Sequence, residues 1–250
     1  GRPLRPLGKA GRNKLNRTVH FLPFSLPECI PVDLYSEYFP PFGSQSECCF
    51  MSAEQLKQRD AMQRLTDFLN EVGMLRHTPR SGYKFLGSGQ ETVAEHSHRT
   101  AVIGYVLAKK TGADAARTVM LCLFHDLPEA RTGDFNYVNR LYDTSRERDA
   151  LEDAVEGTGL EEDIMSIWDE HACRTTPESL LAHDADQLDL ILNLKRESDL
   201  GNRYADKWLE SAVERLRTDI AKELAQTILK TDHTDWWYLG PDRNWWERKS

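Results

Sequence analysis

The chain has 250 residues, 40% hydrophobic and 29% charged, with a formal net charge of -8 and a sequence pI of about 5.5. That is ordinary composition for a globular protein with one sizeable core, and no apolar run approaches the roughly 20 residues needed to span a bilayer. The acidic balance argues against a nucleic-acid backbone as the main partner, because polyanion binders carry a basic face.

A small anionic substrate stays compatible with that charge, since a metal ion and one or two arginines can dominate a local field. The five cysteines, with Cys48 and Cys49 adjacent and no C-x-x-C spacing, form neither a zinc ribbon nor a disulfide framework. A reducing compartment, the cytoplasm, is the expectation, with Cys122 read as a buried small hydrophobe.

In chain order, residues 1–50 stand apart from the rest. Arg2, Arg5, Lys9, Arg12, Lys14 and Arg17 come without one acidic residue before position 18, and the stretch from Pro23 to Phe42 is crowded with prolines and aromatics. Neither part has helical or strand periodicity, so residues 1–50 read as a poorly ordered extension or leader; an organelle transit peptide is the competing reading. At Met51 the texture changes. Ser52 and Gln55 form a capping-box pattern, and Met62, Leu65, Leu69 and Val72 follow at helical spacing, so a single domain is expected over 51–250.

Helices are predicted at about 53–72, 92–110, 113–125, 145–156, 161–171, 177–197 and 204–229. The last carries one apolar stripe of Leu209, Val213, Leu216, Ile220, Leu224 and Ile228. No alternating strand pattern, internal repeat or low-complexity tract intervenes, so the fold class is all-α. The aromatic tail with Trp236, Trp237, Tyr238, Trp245 and Trp246 reads as packing surface against the body or a subunit partner.

The chemistry-bearing residues lie on three of these helices. His125 and Asp126 end the apolar run Met120-Leu121-Cys122-Leu123-Phe124, where an ionisable pair would otherwise carry a large burial cost. Neighbouring side chains on a helix point about 100° apart, so other segments must complete any metal site. His96 opens one apolar-rich helix, and Asp186 lies on another. Imidazole and carboxylate donors of this kind suit a hydrolytic divalent ion. His183, Asp184 and Asp189 are close by, and the helical phase of the leucines does not separate Asp184 from Asp186.

Three ordered segments carry a family resemblance: Glu95-His96-Ser97-x-Arg99, Leu123-Phe124-His125-Asp126-Leu127-Pro128-Glu129-Ala130-x-x-Gly133-Asp134, and Ala185-Asp186-x-Leu188. The set resembles the HD domain superfamily of metal-dependent phosphohydrolases, in its 5'-deoxynucleotidase-like branch, over roughly residues 56–229. The resemblance implies an HD-domain bundle of about six to eight helices around one divalent ion held by His96, His125, Asp126 and Asp186. Manganese, cobalt, magnesium, zinc, nickel and iron all accept such mixed ligation.

By the same resemblance Glu129 would orient or deprotonate the attacking water, and Asp134 would carry a proton or touch the substrate. Arg80 would meet the phosphate, and Tyr83 stands where relatives usually place a tryptophan against the sugar. Arg99 is expected to pair with a carboxylate and hold its helix, while residues 134–140 would close over the substrate. The implied activity is phosphomonoesterase action on (deoxy)nucleoside 5'-monophosphates, giving nucleoside and phosphate, in a homodimer. Three alternatives stand beside it. One is hydrolysis of another phosphate ester, and one is a non-catalytic metal- or nucleotide-sensing module. The third is a di-iron oxygenase, which would need His171 and His183 as further ligands.

Overall fold

The computed structural model describes residues 60–238. The expectations for residues 1–50, for the boundary at Met51, for the Ser52 capping pattern and for Trp245 and Trp246 lie outside them. Among the described residues there is no strand, only a single antiparallel bridge between Pro79 and Thr92, and no helix long and apolar enough to cross a membrane.

The helices are α1 (Ala61–Val72), α2 (Tyr83–Leu86), α3 (Val93–Thr111), α4 (Ala115–Phe124), α5 (Glu129–Thr132), α6 (Glu147–Val155), α7 (Glu161–Cys173), α8 (Pro177–Asp199), α9 (Arg203–Glu214), α10 (Asp219–Lys230) and α11 (Asp235–Tyr238). Two 3-10 turns, Gly73–His77 and Asn139–Leu141, join them. The starts are written in side chains that accept orphan backbone N–H groups. Asp60 with Gln63, Thr92 with Glu95 and Thr176 with Ser179 form reciprocal capping boxes, while Asp114 and Thr218 cap α4 and α10. Among the described residues the first helix begins at Ala61 behind the Asp60 cap, and the part of the expected helix before residue 60 lies outside them.

The spine is α8, which packs against α3, α4, α7, α9 and α10. Leu107, Leu121, Leu188, Ile191 and Leu194 are fully buried along it, each contributing roughly 2–3 kcal/mol of apolar transfer. Small residues set the spacing where α3, α4 and α8 meet. A Cβ on Gly104 would lie 2.6 Å from Cys122 Sγ, 3.3 Å from Thr118 Cγ2 and 3.8 Å from Ala185 Cβ, so α3 meets the side chains of α4 too closely for anything but glycine, while α8 stands at ordinary van der Waals distance. A second cluster, including Phe68, Leu75, Val93, Leu127, Leu151 and Ile164, seats α1, α6 and α7 beside the start of α3.

One expected element divides in two. The predicted helix over 204–229 is broken after Glu214, and α10 restarts at Asp219 behind the Thr218 cap. The break is held by Asp184, which is fully buried on α8. Its carboxylate accepts from Arg217 N at 2.9 Å, Thr218 N at 2.7 Å and Thr218 Oγ1 at 2.7 Å. Leu216 and Ile220 keep four-residue spacing across the interruption, which makes the stripe read as continuous.

Candidate active site

The Thr92 cap places His96 in the first turn of α3, where its side chain is completely buried. On the opposite side α4 ends at Phe124, so His125 and Asp126 lie in the turn before Pro128 rather than on a helix. That is one residue short of the expected helix to 125, and His125, as the C-cap, keeps right-handed helical φ and ψ of -62° and -37°. His125 Nε2 and Asp126 Oδ2 lie 3.1 Å apart. From α8, Asp186 Oδ1 reaches within 3.2 Å of His96 Nε2. His96 Nε2 is in turn 3.6 Å from Asp126 Oδ2 and 3.4 Å from His125 Nε2. The structure thus gathers His96, His125, Asp126 and Asp186 from three segments, with Asp186 joined through His96. His96, His125 and Asp126 form a tighter triad, each offering one donor atom within 4.8 Å of the others.

The chemistry of this donor set suits a cation. His125 Nδ1 lies 2.8 Å from the Cys122 carbonyl oxygen, and His96 Nδ1 lies 2.8 Å from Asp189 Oδ2. An acceptor at each Nδ1 makes that nitrogen the proton-bearing one, which turns both Nε2 lone pairs toward each other and toward two carboxylates. Lewis bases gathered this closely repel one another unless positive charge lies beside or between them, and Arg80 supplies only part of it from the edge of the group.

The titration of the site follows from the same geometry. With no cation bound, burial and Arg80 depress His96, but its bonds to Asp186 and Asp189 outweigh them and raise it to about 10, so a proton on Nε2 then stands where an ion would replace it. Burial pushes Asp126 and Asp186 up, yet the imidazoles and Arg80 hold both below the usual carboxylate range.

Arg80 is aimed by a clip of backbone bonds. Arg80 N donates to Glu91 O at 2.9 Å, and Val93 N donates to Thr78 O at 2.9 Å. The guanidinium meets Asp126 at 3.2 Å and Asp186 at 3.8 Å, so the proposed phosphate cation stands directly beside the proposed ligands. Asp134 spends one oxygen on Ser81 N at 2.5 Å, fastening the segment next to Arg80. Asn136 Nδ2 bonds Ser81 Oγ at 3.1 Å, and Tyr137 packs on Phe85 and Trp208. Residues 134–137 therefore lie over α2 and α9.

Glu129 is buried beneath this edge, and its Oε2 has no hydrogen-bond partner. Burial, then the neighbouring Asp126 and Asp134 carboxylates, push it up to about 9. Tyr83 is not brought to the four candidate ligands: its hydroxyl donates to Glu91 Oε2 at 3.4 Å. A cavity of about 1060 Å³ lies beyond Glu91, lined among others by Pro79, Glu91, Arg196, Glu197 and Tyr204, and none of the four candidate ligands lines it.

Sequence reasoning named Asp189 and His171 only under alternative readings and missed Glu91 and Asn193. Asp189, fully buried, joins the partly buried Glu91 and Asn193 through Arg99 behind His96; the signals were the expected pairing of Arg99 with a carboxylate and a carboxylate one turn after Asp186. His171 packs its ring 5.0 Å from that of His125, its Nε2 is buried without a partner, and burial with His125 drives it down to about 3. His183 instead faces Asp184 at 3.2 Å, so one of the two imidazoles required by a di-iron reading is committed to the α9–α10 break.

The profile of the HD domain family matches residues 72–228, more than half of the chain and all of the segments that build this site. The chain belongs to the HD domain family. It is 27% identical over 145 residues to 5'-deoxynucleotidase HDDC2 of Danio rerio, covering 56% of this chain and 72% of the relative. It is likewise 27% identical to the Homo sapiens protein of that name, covering 56% and 71%. A conserved hypothetical protein from Pyrococcus furiosus matches in structure with a TM-score of 0.57 at 25% identity, over 66% of this chain and 99% of that one. A predicted metal-dependent phosphohydrolase from Magnetospirillum magnetotacticum gives a TM-score of 0.56 at 20% identity over 69% and 95%, a likeness of HD fold.

Proposed function

We propose that this HD domain is a divalent-metal-dependent phosphohydrolase that converts (deoxy)nucleoside 5'-monophosphates to nucleoside and phosphate. The observation that carries the reading is the convergence of two imidazole Nε2 atoms and two carboxylates with Arg80 at their edge. The relatives named 5'-deoxynucleotidase supply the substrate class.

His96, His125, Asp126 and Asp186 would hold the ion, and their mixed nitrogen and oxygen donors accept manganese, cobalt, magnesium, zinc, nickel or iron. When bound, such an ion supplies Lewis-acid stabilisation of phosphoryl oxygen and acidifies a water. Arg80 binds the non-bridging phosphate oxygens and holds phosphorus in line, the electrostatic role that dominates phosphoryl transfer. Glu129 takes the proton of the attacking water at Oε2, the oxygen the fold leaves without a partner. Asp134 keeps one oxygen for the substrate or for returning the proton to the leaving 5'-oxygen, while Ser81 N holds the other. Tyr83, bonded to Glu91, shapes the sugar side through its ring.

An exposed apolar row on α3 (Val102, Tyr105 and Val106), with Met120 and Leu123 on α4, supports a homodimer. Free Cys122 and Cys173 fit a reducing compartment such as the cytoplasm.

The deciding experiment measures phosphate release from ribo- and deoxyribonucleoside 5'-monophosphates and non-nucleotide phosphate esters. Manganese, cobalt, magnesium or zinc is added to metal-stripped protein. Turnover of a nucleotide that disappears in Asp126→Ala is expected. Silence across all substrates and metals refutes the assignment and favours a sensing module.

A further inference from the structure

We propose that Asp189, held by Arg99, is a positioning residue that decides which ring nitrogen of His96 is free to bind the ion. The inference rests on the reading of His96 as a ligand. Asp189 Oδ2 lies 2.8 Å from His96 Nδ1, with both side chains fully buried. Its other oxygen, Oδ1, accepts from Arg99 Nε. Arg99 Nη2 also donates to the Asp189 carbonyl at 3.3 Å and to Glu91 Oε1 at 3.3 Å, and Asn193 Nδ2 donates to that same Glu91 oxygen at 2.9 Å. Each Asp189 oxygen thus has one assigned donor. An imidazole that ligates through Nε2 must keep its proton on Nδ1 and needs an acceptor there, which Asp189 provides.

Glu91, His96 and Asp189 also place donor atoms within 4.8 Å of one another, a spacing that could itself take an ion. The Arg99 guanidinium already bonds both carboxylates of that group, and His96 Nδ1 is turned to Asp189. The group therefore orients His96 and is not a second metal centre.

The arrangement has a consequence that a purely structural ion pair would not have. Arg99 has no acceptor to offer, so an asparagine at 189 must turn its carbonyl oxygen to Arg99 Nε and present its NH₂ to His96 Nδ1. A neutral ring then avoids a donor–donor clash only by carrying its proton on Nε2, the atom facing Asp126, Asp186 and His125, and that proton blocks ligation. Removing Arg99 as well frees the amide to rotate. Its carbonyl then accepts from His96, and its NH₂ turns to Glu91 in the same cluster.

The test is the affinity of the metal-stripped full chain for Mn²⁺, read by competition with a chromogenic chelator, with thermal melting as the check on folding. The variants are His96→Ala, Asp189→Asn, Arg99→Met and the Arg99→Met/Asp189→Asn double. Asp189→Asn should bind roughly 10- to 100-fold more weakly while still melting cooperatively, and the double variant should bind more tightly than Asp189→Asn alone. Wild-type affinity in Asp189→Asn beside a weakened His96→Ala overturns the positioning role and leaves the metal reading standing. Wild-type affinity in His96→Ala overturns both. Losses that simply add in the double variant show that the two residues act independently and overturn the claim that Arg99 holds Asp189 for this role. Should Asp189→Asn alone not fold, the double variant compared with Arg99→Met decides: near-equal affinity supports the role, and a further large loss overturns it.

Discussion

Glu129→Gln should stabilise the metal-stripped protein near neutral pH while abolishing turnover. In the fold the Glu129 carboxyl is raised from 4.5 to about 9 by burial and by the Asp126 and Asp134 carboxylates, and its side chain is almost wholly enclosed. A raised folded value means the group favours folding in its protonated form. Its full contribution is present below pH 4.5 and is lost progressively as pH rises toward 9. Between pH 4.5 and 7 the unfolded chain ionises and the folded one does not. At about 1.4 kcal/mol per unit, this costs the wild type about 3 kcal/mol. Glutamine has the same shape and no charge, so the difference between variant and wild type should be near zero at pH 4.5 and about 3 kcal/mol at pH 7. Urea denaturation of chelator-treated protein across that range measures it. Adding Mn²⁺ should shrink the gap, because positive charge at the ligands favours the Glu129 carboxylate. A stability difference that does not change with pH, or a variant less stable than wild type at pH 7, would refute the argument.

Three further outcomes follow from the geometry. Arg80→Ala should lower kcat/KM roughly 10²- to 10³-fold, the usual effect of removing one charge-stabilising donor. The same variant should bind Mn²⁺ more tightly in a chelator competition, because Arg80 opposes a cation at Asp126 and Asp186. Gly104→Ala forces a Cβ to 2.6 Å from Cys122 Sγ and should destabilise by about 1–3 kcal/mol in urea despite its helix propensity; adding Cys122→Ala should recover much of that loss. Asp184→Ala strips the acceptor from Arg217 N, Thr218 N and Thr218 Oγ1. It should cost about 3 kcal/mol and speed amide exchange at residues 217–221, with turnover per folded molecule retained.

What could be read from the sequence followed how local each determinant is. Helix periodicity and caps are local, so α3, α7 and α8 fall within a few residues of expectation. The α9–α10 break was hidden because its cause, the buried carboxylate of Asp184, lies 34 residues upstream of Thr218. The apolar stripe keeps its phase across the interruption, so periodicity alone could not reveal it. In the site, the ordered His, His-Asp and Asp motifs picked out the residues that the fold brings together. Helical phase could not choose between Asp184 and Asp186, and the Ala185-Asp186-x-Leu188 motif chose Asp186; in the fold one carboxylate turns to the backbone of 217–218 and the other to His96. Tyr83 was assigned by its place in a motif, but its hydroxyl goes to Glu91, whose partners come from α3 and α8 and leave no local pattern.

The placement of the ligands also explains why so much of the chain serves spacing. His96 comes from a helix start, His125 and Asp126 from a helix end and Asp186 from the middle of the longest helix, so no single element can correct an error in another. Gly104 on α3 leaves no room for a Cβ against Cys122 on α4, with Ala185 of α8 in ordinary contact beside them, so this position fixes how closely α3 and α4 stand. Close-packed interiors transmit a displacement rather than absorb it, so a methyl group at Gly104 should move donor atoms as well as weaken the core. A Gly104→Ala protein that loses stability but keeps wild-type Mn²⁺ affinity would show that the turn at His125–Pro128 takes up the strain. Loss of affinity in proportion to loss of stability would show that helix spacing sets the metal site.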